Sequence, residues 1–122
     1  MADREQKKLI YDLEERTFQF AKAVRIFVKA LPRNISIIED SRQLIRASGS
    51  VGANYREANE ALSRKDFLMR IRISRREAKE CAYWLRLIRD TNEIERIDDL
   101  NDLIREAEEL TKILSAIALK ST

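Results

Sequence analysis

Apolar residues recur along most of this chain at spacings of three and four, the period of an amphipathic α-helix. Leu31-Pro32 interrupts the first such stretch, because proline disfavours helical geometry in the residue before it. Ser63 follows the second stretch and starts the third as its N-cap, three residues before an acidic side chain. The pattern predicts helices over residues 12–30, 36–62, 64–91 and 98–120.

Each predicted helix has one apolar stripe that we expect to form the core. The connections are short, so sequential helices should be antiparallel neighbours. We predict an all-α, up-and-down antiparallel four-helix bundle, with residues 1–122 as one domain. The stripes are Leu13, Phe20, Val24, Phe27 and Leu31; Ile37, Leu44, Ser48, Val51, Tyr55, Ala58 and Leu62; Phe67, Ile71, Ser74, Ala78, Cys81, Leu85 and Ile88; and Leu100, Leu103, Ala107, Leu110, Leu114 and Ile117.

The second and third predicted helices each have a further face that a monomeric bundle would leave in water. On the third helix this further face is apolar. On the second helix it contains a pair of small residues flanked by charged residues. Exposing a contiguous apolar strip is unfavourable, so we predict a subunit interface here. The alternatives are a core that wraps around the third helix, and a local kink at residues 48–50. The predicted interface residues are Arg46, Gly49, Ala53, Glu57, Met69, Ile73, Trp84 and Leu87.

Charge is distributed unevenly along the chain, whose net charge is +3. Residues 40–90 have a net charge of +5, and residues 91–122 have a net charge of −4. A basic face suits the phosphates of RNA or DNA, and a tyrosine among the cations could stack on a base. The alternative is that basic and acidic regions pair within or between subunits. The basic stripe of the third helix consists of Lys65, Arg72, Arg76, Lys79, Tyr83 and Arg86.

Several kinds of chemistry are missing from the sequence. There is no histidine, which removes the commonest general base and metal ligand. Cys81 is the single cysteine and lies on a core stripe, so we expect a buried side chain and no zinc site. We predict no enzyme activity, no metal and no cofactor. The lone cysteine, the charged N-terminus and the lack of a bilayer-length apolar run predict a cytoplasmic protein with no membrane partner.

The central block of the chain, residues 43–88, resembles a known family. It contains the runs QLIRAS, SVGAN and YREA, then Lys65-Asp66-Phe67, Glu77-Ala78 and Tyr83-Trp84-Leu85. These resemble the bacterial four-helix bundle proteins encoded in intervening sequences of 23S ribosomal RNA genes. Phe27, Leu31-Pro32 and residues 106–110 also fit, so the resemblance covers roughly residues 15–120. The run YREA departs from the Ile-Ala-Glu-Gly that is frequent in the family.

The resemblance implies a ring-like homopentamer of four-helix bundles without catalytic residues. The family is also similar to the accessory variability determinant of diversity-generating retroelements, which partners a reverse transcriptase and binds nucleic acid through a basic surface. We therefore expect a non-catalytic homo-oligomer that binds nucleic acid, preferably structured RNA, with low sequence specificity. The alternative is a protein-binding scaffold or an accessory subunit of a reverse transcriptase.

Overall fold

The computed structural model describes residues 4–122, and this part of the chain folds into four α-helices with short connections. Consecutive helices pack against each other and the last returns to the first, which closes the bundle. Arg64 donates to the carbonyl of Ser121, and Asn34 donates to Asn92, so these helix ends meet in antiparallel order. The predicted all-α four-helix bundle is confirmed. The helices are α1 (Arg4–Lys29), α2 (Ile35–Asn59), α3 (Arg64–Thr91) and α4 (Ile97–Lys120).

The predicted stripes supply most of the core. Leu31, Phe67 and Ile117 are half-buried and pack against it, and the other members are buried except for Leu62. Leu62 is 99% exposed. The reason is that α2 ends at Asn59, earlier than the predicted boundary, so Leu62 lies in the connection to α3. The buried residues outside the predicted stripes are Thr17, Ser41, Ala47, Ile104 and Ala118.

The helix starts differ from the prediction mainly in α1, which begins at Arg4 instead of near residue 12. Its first turns contain straight-chain residues of good helix propensity. The apolar residues Leu9 and Tyr11 in these turns are exposed and do not continue the core stripe. The apolar pattern therefore did not predict this part of the helix. Ser63 caps α3 as predicted, because its Oγ accepts a hydrogen bond from the N–H of Asp66 at 3.1 Å.

The contact between α1 and α2 depends on the two glycines. A Cβ built at Gly52 would lie 3.0 Å from Thr17 Oγ1 and 3.6 Å from the Thr17 backbone carbon. A Cβ at Gly49 would lie 3.1 Å from the Arg25 guanidinium. The helix continues unbroken through residues 48–50. Small residues at these positions therefore allow close packing within the chain, between α1 and α2. No helix in residues 4–122 is both long and apolar enough to cross a membrane.

Candidate nucleic-acid interface on helix α3

The basic stripe runs along the outward face of α3. Its six residues are all exposed, and their spacings of three, four and seven place them on one side of the helix. The buried residues Ile71, Ala78 and Leu85 lie on the opposite side, against the core. From Lys65 to Arg86 the stripe extends about 30 Å along the helix axis. The structure thus presents the predicted stripe as one continuous surface.

A shallow groove of about 740 Å³ follows this surface. Five basic and two acidic side chains line it, so its charge is positive overall. Met69 and Ile73 contribute apolar surface to the same groove, between the cations. The stripe and part of the predicted subunit interface therefore occupy one site. Arg75 also lines the groove, although it was not part of the predicted stripe. It is half-buried, whereas the six residues of the stripe are exposed.

Most cations of the stripe have no acidic partner. Among residues 4–122, four of the five have no carboxylate oxygen within 4.0 Å, and Arg76 lies 3.5 Å from Glu77 Oε1. Four of the six acidic residues of α4 pair elsewhere in the described chain. Arg16 of α1 binds Glu106 through two contacts of 2.8 Å, and three further carboxylates pair with nearby basic residues of their own segment. Pairing between α4 and the stripe within one subunit is therefore not observed in this part of the chain.

Tyr83 packs its ring edge-on against Trp84 within the stripe. Its side chain is 56% exposed, and its ring meets the Trp84 ring edge-on, with centroids 5.1 Å apart and an angle of 78°. Trp84 is half-buried and packs against the core, so it anchors the tyrosine ring. Lys79 lies one turn before Tyr83 and Arg86 one turn after it. An aromatic face is therefore open to solvent between two cations.

The residues predicted for the subunit interface fall into two groups. Arg70 donates to Asn54 Oδ1 at 3.1 Å and so marks the side of α3 that faces α2. Trp84 lies on that side, fourteen residues further along the helix. Its packing on the core agrees with the alternative of a core that wraps around α3. Ile73 and Leu87 are also half-buried, and Gly49 is half-buried against α1. The exposed group is Arg46, Ala53, Glu57 and Met69.

A further apolar surface lies between α1 and α2. Phe18 and Ile26 are more than half exposed and border a groove of about 620 Å³, which Gly49 and Ala53 also line. These two α1 residues belong to no surface that was predicted from the sequence. Their separation of eight residues places them about two turns apart on the same side of α1, and this spacing was the available signal.

The described residues bring few reactive groups together. Cys81 is buried, and burial raises the pKa of its thiol, with smaller contributions from the charges of Glu77 and Glu80. Within residues 4–122, no three side chains of the metal-binding types form a group that could hold an ion. The exposed side chains of α3 include cationic, apolar and aromatic groups, which can bind phosphates and bases, together with the acidic residues Asp66, Glu80 and Asp90.

Comparison with known proteins now identifies the family. The sequence matches the family described as "23S rRNA-intervening sequence protein" over residues 11–116. The chain belongs to this family. A crystal structure from Bacteroides thetaiotaomicron, described as a protein with unknown function from the S23 ribosomal protein family, is 30% identical, with a TM-score of 0.78. The similarity covers 89% of this chain and 96% of that one. No curated protein matches the sequence significantly.

The match to the 23S rRNA-intervening sequence protein family includes the whole basic stripe and parts of all four helices. It confirms the family that the central block of the sequence indicated. Neither the family description nor that of the solved relative names a catalytic activity. The similarity to the accessory variability determinant stays a prediction.

Proposed function

We propose that this protein is a non-catalytic homo-oligomer, a pentamer, that binds nucleic acid through the basic stripe of α3. Structured RNA is the preferred ligand, and sequence specificity is low. The observation that carries the proposal is the row of five exposed cations, four of them without a carboxylate partner in the described chain, with Tyr83 among them. The family description, which refers to 23S rRNA, agrees with an RNA ligand.

Phosphate contacts give this surface its affinity. Each cation that neutralises a phosphate releases a counterion, so affinity falls steeply with salt concentration. A stripe of about 30 Å faces several phosphates at once. Several copies of the stripe around a ring would bind the same RNA molecule at once. The overall affinity would then rise without any new contact within each stripe. Arginine and lysine contacts to phosphates read no base sequence, which accounts for the low specificity.

Self-association is supported by apolar side chains that a single subunit leaves exposed. Phe18 and Ile26 border the groove between α1 and α2, and Ala53 lies in the same groove. Burial of such a surface by another copy would stabilise an oligomer by the hydrophobic effect. The number of five subunits follows from the family resemblance, since the exposed surfaces themselves indicate association without a count.

The test combines light scattering after size exclusion with RNA-binding titrations. We expect a mass near five chains and an affinity for a short structured RNA that falls steeply between 50 and about 200 mM salt. The double variant Arg72→Glu/Arg76→Glu should lose at least ~10-fold in affinity and keep its mass, because each contact to phosphate is worth about one kcal/mol or more.

The matched control is Arg33→Glu/Arg42→Glu, which makes the same change in net charge at exposed positions on another part of the bundle. We expect a much smaller loss of affinity for this variant. Equal losses for both variants, or an affinity independent of salt, would contradict a binding site on α3. A single-chain mass would contradict the oligomer.

A protein-binding role is the second candidate, as a scaffold or as an accessory subunit of a reverse transcriptase. Met69 and Ile73 favour it, because apolar side chains between cations suit an acidic amphipathic helix as well as a nucleic acid. A reverse transcriptase gene next to this one would favour the accessory role. A position inside a ribosomal RNA gene would favour RNA binding.

A further inference from the structure

We propose that the groove on α3 takes unpaired nucleotides, with a base stacked on Tyr83 and the adjoining phosphates on the neighbouring cations. This inference rests on the proposed nucleic-acid binding and names the part of the ligand that the site recognises. The ligand is a single-stranded segment, such as a loop, a bulge or a free end. A continuous duplex would contact the cations of the stripe through its phosphates and would not stack on Tyr83.

The exposed tyrosine is the first reason. A duplex keeps its bases stacked on each other and presents sugars and phosphates to a surface outside its grooves. A ring that lies between Lys79 and Arg86 on the outward side of α3 has no base to stack on in such a duplex. An unpaired base has an open π-face, and stacking on an aromatic side chain is the usual way in which proteins hold single strands.

The support of the ring by Trp84 is the second reason. Trp84 packs on the core, and its ring meets the Tyr83 ring edge-on, with centroids 5.1 Å apart. This contact restricts the tyrosine ring, and a side chain that is already restricted loses less conformational freedom when a base stacks on it. An unsupported tyrosine on a helix surface would have to be ordered first.

The composition of the groove is the third reason. Met69 and Ile73 lie among Arg72, Arg76 and Lys79, so apolar and cationic side chains alternate along one groove. A single strand offers the same alternation of apolar bases and charged phosphates. The acidic groups Asp66 and Glu80 also line the groove and repel phosphates, which keeps the strand's backbone beside the cations.

This arrangement removes Met69 and Ile73 from the residues that hold subunits together. These two residues would contact the ligand in the groove. Subunits would associate through other exposed surfaces, such as the one between α1 and α2 that includes Phe18 and Ile26. Met69→Ser should therefore weaken single-strand binding and leave the oligomer mass unchanged.

The experiment measures affinity for three probes of the same length: a single-stranded RNA, a single-stranded DNA of the same sequence, and a blunt RNA duplex. Tyr83→Ala should weaken both single strands by about 5- to 150-fold, the range expected for the loss of one stacked base. The duplex should change by less than about twofold, since it makes no stack. Tyr83→Phe keeps the ring and should retain single-strand binding.

The outcomes separate the two levels of the proposal. If Tyr83→Ala leaves single-strand affinity unchanged while Arg72→Glu/Arg76→Glu weakens every probe, the stack is wrong and the binding surface stands. If the arginine variant weakens none of the probes, the binding surface itself is wrong. An equal loss for strand and duplex with Tyr83→Ala would also overturn the preference for unpaired bases.

The single tryptophan provides an independent readout. Trp84 contacts the ring on which the base would stack, so a bound single strand should change its fluorescence, and a duplex should change it far less. Single-strand binding at full affinity with no change in Trp84 emission would overturn the inference. Circular dichroism and the oligomer mass of each variant show that folding is intact.

Discussion

The hydroxyl of Ser74 on α3 donates a hydrogen bond of 2.6 Å to the backbone carbonyl of Val51 on α2. Both residues are fully buried. Serine is unusual in such a position, because a buried hydroxyl without a partner costs free energy. Here the partner is a carbonyl of the neighbouring helix, so the bond joins the helix that displays the basic stripe to the rest of the bundle.

Ser74→Ala should lower the free energy of unfolding. The substitution removes one buried hydrogen bond, worth about 1 kcal/mol net. Alanine's better helix propensity offsets part of this loss, by up to about 0.5 kcal/mol. Chemical denaturation followed by circular dichroism measures the difference, with the midpoint and the slope both compared.

Ser41→Ala is the matched control. Ser41 is also a buried serine inside a helix, but its Oγ has no hydrogen-bond partner within residues 4–122. Removing this hydroxyl abolishes a desolvation cost of about 1 kcal/mol or more, so we expect unchanged or higher stability. Equal destabilisation by both substitutions would show that the Ser74–Val51 bond contributes nothing specific.

The two glycines of α2 provide a second matched pair. Gly52→Ala places a methyl group 3.0 Å from Thr17 Oγ1 and 3.3 Å from Thr17 Cβ, on a neighbour fixed in the core. Relieving this overlap requires α1 and α2 to move apart. We expect a loss of about 1–3 kcal/mol in the free energy of unfolding, the usual cost of overpacking.

Gly49→Ala should behave differently. The methyl group would meet the Arg25 guanidinium at 3.1 Å, and this group donates hydrogen bonds to Ala21, Ser48 and Ile45. A side-chain end can still shift more easily than the Thr17 backbone, and alanine is favoured over glycine inside a helix by up to about 1 kcal/mol, so we expect a smaller loss of stability than for Gly52→Ala. Equal losses for the two variants would show that the hydrogen bonds of Arg25 hold it as firmly as the core holds Thr17.

The core could be predicted from the sequence because a helical stripe is a local property. The spacing of residues such as Leu44, Val51 and Ala58 already determines which side of α2 is apolar. Leu62 continues that spacing but is exposed, since the helix ends before it. Periodicity alone does not show where a helix stops when no proline marks the end.

The stripe on α3 could be predicted for the same reason, but its surroundings could not. The shared groove of Met69, Ile73 and the cations depends on the shape of the outer surface. The close contact at Gly52 depends on how α1 is placed along α2, which neither helix's own sequence determines. The sequence pattern therefore assigned Gly49 to a subunit interface and gave no role to Gly52, whose close contact is with Thr17 of α1.

Arg16 and Glu106 are predicted to couple weakly. They form two contacts of 2.8 Å between α1 and α4, and the hydrogen bond to Glu106 raises the pKa of the arginine. Their side chains are 41% and 30% exposed, so solvent screens the pair. A double-mutant cycle with Arg16→Ala and Glu106→Ala should give a coupling of about 0.5–1 kcal/mol that decreases with salt. A coupling that salt leaves unchanged would contradict this picture.

Alkaline pH should destabilise the fold, beginning with the buried thiol. Burial raises the pKa of Cys81 above its ordinary value of 9.0, and burial also raises the pKa of Tyr55 above 10.0. Both groups thus stay protonated in the folded protein when the unfolded chain has released the proton. The folded state then binds more protons, so the free energy of unfolding falls as pH rises above about 9, by up to 1.4 kcal/mol per pH unit for each group.

Cys81→Ala distinguishes the thiol from the other groups that titrate at high pH. Denaturation curves measured under reducing conditions at several pH values between 7 and about 11 should show a decline from about pH 9 in the wild type. In the variant, the decline should begin about one pH unit higher, where Tyr55 would ionise on unfolding. Parallel declines for the two proteins between pH 9 and about 10 would mean that the thiol does not contribute, because the variant lacks the group that titrates first.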